Sequence, residues 1–66
     1  MNRVAAGDLV NVVGLQKGAE LYLLLYEDGA EPEALRQLGR WAEDDQLNFS
    51  WHDAAVLSRR VRKLEI

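Results

Sequence analysis

Hydrophobic positions are unevenly patterned along this chain. Two segments, Asp8 to Leu15 (DLVNVVGL) and Glu20 to Tyr26 (ELYLLLY), are apolar almost throughout. Wound as a helix, the first would point its apolar side chains all round with no polar face. Its valines suit the pleated backbone of a strand instead. The second is short and flanked by glycines, which also favours a strand. Gln16-Lys17-Gly18-Ala19 lies between them. Lys17-Gly18 can serve as a two-residue hairpin loop with Gly18 at positive φ. That register pairs Val13 with Tyr22 and Val10 with Leu25. One face of the hairpin then carries Val10, Val12, Leu21, Leu23 and Leu25. The other carries Leu9, Val13, Leu15, Tyr22, Leu24 and Tyr26, interrupted by Asn11. Both faces are apolar, whereas an antiparallel sheet with one wet face alternates.

The period changes after Glu27-Asp28-Gly29-Ala30. Pro32 suits the start of a helix, where a missing N–H costs nothing. Glu31 and Glu33 lie near the positive end of the helix dipole. Ala34, Leu35, Leu38, Trp41 and Ala42 then fall on one stripe at 100° per residue, with Gly39 at its flank. This predicts a helix over 32–44. Gln46-Leu47-Asn48-Phe49 alternates, the pattern of a short third strand over 46–49 or of a loop with two anchors. Ser50-Trp51-His52-Asp53 has the spacing of a capping box. It opens a helix over 51–64 whose buried stripe is Ala54, Leu57, Val61 and Leu64. Arg62 and Lys63 fall in its last turn, where the dipole favours cations. The order of elements predicts an α+β fold: a small two-layer domain with a hairpin over about 8–15 and 20–26. Residues 1–7 are expected to be a flexible tail and 8–66 the single domain.

Length sharpens this picture. A chain of 66 residues has room for one small core with a thin stability margin. With no cysteine, neither disulfides nor a thiolate metal site can reinforce it. That leaves dense packing or self-association as sources of stability. The leading expectation is therefore a non-enzymatic protein–protein interaction module that forms a homodimer. Its expected dimer face is Leu9, Val13, Leu15, Tyr22, Leu24 and Tyr26. This assumes that both helices cover the Val10–Leu25 face. Absent cysteine and an N-terminus without an apolar core point to the cytoplasm. The longest apolar run, Leu21 to Tyr26, is too short for a membrane helix.

Charge and motifs narrow the chemistry. The net charge is −3, split into −4 over residues 1–33 and +1 over residues 34–66. An acidic total opposes nucleic-acid binding, which needs phosphate-neutralising charge. The second helix nevertheless presents His52, Val56, Arg59, Arg60 and Lys63 on one side. This is a solvated face or a docking face for an acidic partner. Ser50, His52 and Asp53 include the residue types of a hydrolase triad, but near neighbours on a helix do not face one another. Glu43-Asp44-Asp45 lacks the ligand alternation and central glycine of a calcium loop. Gly14 to Gly18 lacks the length of a phosphate-binding loop. Trp41 and Trp51 lie on the helix stripes and are expected in the core. No enzyme, cofactor, metal or small-molecule substrate is expected.

From Leu21 onward the order is strand, helix, turn, capped helix and basic residues. In layout this resembles ribbon-helix-helix repressors, which implies a small DNA-binding transcriptional regulator as the alternative function. Such proteins read bases with polar strand side chains. Leu21, Leu23 and Leu25 offer none.

Overall fold

The computed structural model describes residues 10–63. The expected tail over 1–7, Leu9 of the expected dimer face, and Leu64 lie outside the described residues. The fold is α+β: strand β1 (Val10–Lys17), strand β2 (Glu20–Glu27), helix α1 (Glu31–Glu43) and helix α2 (Trp51–Val61). The strands form a two-stranded antiparallel hairpin.

The hairpin closes one residue later than expected. Lys17 pairs with Glu20, so the loop is Gly18-Ala19, and Gly18 takes φ 59°. A glycine with positive φ at the first loop position matches the twist of the flanking strands, as in type II′ turns. Val13 therefore faces Leu24 and Val10 faces Glu27, not Tyr22 and Leu25. Because each partner moves by two residues, every side chain keeps its predicted face.

Both helices pack on one face of the hairpin, and it is the face expected to be open. Val13, Leu24 and Tyr26 are buried there, and Leu15 and Tyr22 pack against the same core. The expected dimer face is thus corrected: its described members are the sheet's contribution to the core. The physical reason lies in the side chains. Tyr22 packs against Trp41 and Phe49, with ring centroids 5.8 and 5.1 Å away. Its hydroxyl accepts from the Asn48 N–H and donates to Glu20. The opposite face carries Val10, Val12, Leu21, Leu23 and Leu25 and no aromatic ring with such a handle.

Helix α1 starts after Gly29, whose φ of 92° lets the chain reverse, and Pro32 sits in its first turn. Leu38 of α1 is 1% exposed and Leu57 of α2 is fully buried in the same core cluster. Residues 46–49 form no strand. Asp44 accepts from the Gln46 N–H through its side chain and from the Leu47 N–H through its carbonyl, folding the segment into turns. Phe49 anchors that segment in the core. Its ring meets Trp41 edge-on at 5.3 Å.

Helix α2 is capped as the sequence predicts: Ser50 Oγ accepts from the Asp53 N–H, and the Asp53 carboxylate accepts from the Ser50 N–H. It ends earlier than expected, at Val61, because Lys63 turns into the left-handed region at φ 61°. Trp51 also departs from expectation. It is 59% exposed, beside a shallow hollow between the helices lined by Leu35, Gly39, Ala55 and Arg62.

Candidate interaction surface

Covering one sheet face leaves the other to solvent. Strict alternation places Val10, Val12 and Gly14 of β1 and Leu21, Leu23 and Leu25 of β2 on that uncovered face. Four of them remain conspicuously open: Val12 is 45% exposed, Leu21 57%, Leu23 48% and Leu25 59%. Val12 pairs with Leu25, and Gly14 pairs with Leu23. A Cβ built on Gly14 would lie 2.9 Å from Leu23 Cδ2. The Leu23 side chain therefore leans over Gly14, which keeps the apolar patch continuous across both strands.

Gln16 and Glu27 bound this patch on its own face, whereas the polar groups of the covered face tie the hairpin to the rest of the fold. Asn11 Nδ2 donates to Asp28 Oδ1 at 2.7 Å and to the Tyr26 carbonyl at 3.3 Å, fastening the open end of the hairpin. At the closed end Lys17 Nζ meets Asp53 Oδ2 at 2.7 Å. One carboxylate thus serves the α2 cap and the hairpin together. The Lys17 ammonium, followed by the Ser50 N–H, holds Asp53 below the ordinary aspartate pKa. Tyr22 titrates above its ordinary value, chiefly because its hydroxyl donates to Glu20. Tyr26 does so because burial disfavours the phenolate, with Glu31 and Asp28 adding to the effect.

The basic side of α2 is not a single surface. His52, Arg59 and Lys63 are exposed and Val56 is half-buried. Arg60 turns toward the sheet, where its Nη1 donates to the Gly14 carbonyl at 3.1 Å. The docking face expected from the sequence thus loses Arg60 to the edge of β1. Ser50 and Asp53 are held in the cap, with His52 exposed beside them, so the three form no relay. Among the described residues no group of three or more His, Cys, Asp or Glu side chains is placed to hold a metal ion. No described helix is long and apolar enough to cross a membrane.

The signal for the open face was present in the sequence, as two apolar hairpin faces. What sequence reasoning missed was which face the helices take. The polar tips of Tyr22 and Lys17 were the available clue, since each needs a partner from the helical layer. Comparison with protein-family models, curated proteins and solved structures found no match for this chain.

Proposed function

We propose that the protein is a non-enzymatic interaction module that self-associates through its uncovered sheet face. The observation that carries this reading is the exposure of Val12, Leu21, Leu23 and Leu25 as one continuous patch. A soluble monomer rarely leaves large contiguous apolar patches open. A small core also gains most from a second copy. The cysteine-free composition fits work in a reducing cytoplasm.

Magnitudes set the expected strength. Fully burying a Leu or Val side chain contributes about 1.5–3 kcal/mol. Half of that from four side chains on each of two copies sums to about 6–12 kcal/mol. Association itself opposes this with about 4–15 kcal/mol. The dimer should therefore be concentration-dependent, with dissociation in the micromolar range or weaker. Light scattering at tens to hundreds of micromolar tests it. Wild-type protein should exceed the 7.5 kDa of one chain. Val12→Glu, which places an uncompensated charge in the contact, should weaken association without unfolding the domain. Monomeric wild type throughout that range would defeat the proposal.

A further inference from the structure

The two outer edges of the hairpin are not equivalent. In an antiparallel ladder, hydrogen-bonded and non-hydrogen-bonded pairs alternate. The Gly14 carbonyl receives Arg60 from outside the ladder, so Gly14–Leu23 is a pair of the second kind. By alternation so are Gln16–Leu21 and Val12–Leu25. The main-chain N–H and C=O groups of Leu21, Leu23 and Leu25 therefore point away from β1. Arg60 guards the β1 edge. Nothing among the described residues does the same for those three leucines on β2. A hollow of about 390 Å³ runs between that edge and α1, lined by Leu25, Glu27, Glu33 and Gln37 among others. An open strand edge is a template for pairing with another chain.

We propose that the β2 edge is a second interface, where β2 of one copy pairs antiparallel with β2 of another about a twofold axis. Two features of this chain select a second copy as the occupant. The first is register. A twofold axis perpendicular to the sheet must pass between two copies of one residue. Centred on Leu23, it sets Leu21 opposite Leu25 of the other copy, and all three leucines exchange main-chain hydrogen bonds with leucines. Glu20 then faces Tyr26 and Glu27 faces Ala19, so no two carboxylates are opposed. Centring on Leu24 would instead set Leu21 opposite Glu27.

The second feature is charge. Glu33, Gln37 and Arg40 form a stripe on α1 at helical spacing, and Glu33 and Gln37 line the hollow beside β2. Helix α1 runs antiparallel to β2, with Trp41 against Tyr22 and Ala34 beside the Leu24–Tyr26 end. Gln37 therefore lies on the Leu24–Leu25 side of Leu23. Under the same twofold the two α1 helices run antiparallel, so the Glu33 end of each faces the Arg40 end of the other, and Glu33 can exchange its exposed pair with Arg36, at 3.3 Å in its own chain, for Arg40 of the other copy. The stripe is complementary to itself.

This interface is separate from the sheet face and joins the apolar faces of two copies into one four-stranded surface. If both contacts operate, the assembly has four chains, near 30 kDa from a 7.5 kDa chain. Two classes of variant separate them. Val12→Glu disables the face and leaves the β2 edge intact, so at hundreds of micromolar it should weigh about 15 kDa, twice the chain mass. Adding Leu23→Pro removes an outward N–H that the hairpin ladder does not use, and the mass should fall to 7.5 kDa. Because proline can unfold so small a domain, charge reversal provides the second test in the Val12→Glu background. Glu33→Arg or Arg40→Glu alone should weaken this dimer about five- to tenfold. The two together should restore it. A Val12→Glu protein that is monomeric at hundreds of micromolar would overturn the edge interface while leaving the face intact. So would a dimer indifferent to both proline and charge reversal.

Discussion

Asp53 shows how much one side chain carries in a domain this small. It closes the α2 cap with Ser50 and ties the end of β1 to that cap through Lys17. These contacts favour the carboxylate and lower its pKa in the folded state. A group whose pKa is depressed on folding stabilises the protein above its unfolded value, near 3.9, and loses that contribution as pH falls through the folded value. Wild-type protein should therefore melt above Asp53→Asn at neutral pH. The gap should close as pH drops below about 4. Thermal unfolding of both proteins from pH 7 to pH 2 measures this, and a gap unchanged at the acid end would refute the linkage. Lys17→Met should shrink the neutral-pH gap as well, because Lys17 is the largest cause of the shift.

At the scale of elements, the capping box and the helix stripes make separable contributions. Ser50→Ala removes one cap hydrogen bond and should cost about 1 kcal/mol by chemical denaturation. An unaltered midpoint would count against the cap. Leu57→Ala opens a cavity where α2 meets α1 and should cost about 2–5 kcal/mol, enough to unfold a large part of the population. Trp51→Ala provides the contrast. Trp51 shares the α2 stripe in sequence, yet 59% of it is open to water. Its loss should cost clearly less than that of Leu57, despite the larger side chain. Equal costs would mean that the groove between the helices is more closed than its exposure implies.

For the molecule as a whole, the distribution of charge and apolar surface decides what it can hold. The net charge is −3, and Arg60, at the centre of the basic run, is engaged with β1. Few phosphate contacts remain, so few counterions would be released on binding DNA. No shift of random duplex DNA is expected at low micromolar protein and physiological salt. A tight, salt-sensitive complex, lost when Arg59 and Lys63 become Gln, would revive the regulator suggested by the ribbon-helix-helix-like layout. The apolar sheet face is the surface on which the proposed self-association rests.

Local signals in this chain are strong where they rest on neighbours in sequence. Glycine, proline and the Ser50–Asp53 spacing punctuate the chain near the observed boundaries. Hydrophobic period separates the strands from the helices, and Leu38 and Leu57 emerge as core residues from their stripes alone. Side-chain alternation assigns every described hairpin residue to its correct face even though the loop is displaced by one residue. Which face becomes core was not legible in that way, because both are apolar and hydrophobicity alone does not distinguish them. Long-range contacts decided it. The Tyr22 hydroxyl reaches the Asn48 N–H, Lys17 reaches Asp53, and Phe49 closes against Tyr22 and Trp41. None of these partners lies within a single element. The same holds for Arg60, which reads as one of four basic tail residues until the fold brings it to the Gly14 carbonyl. Local periodicity determined what each element is, and packing among polar tips and aromatic rings determined which apolar surface is left open.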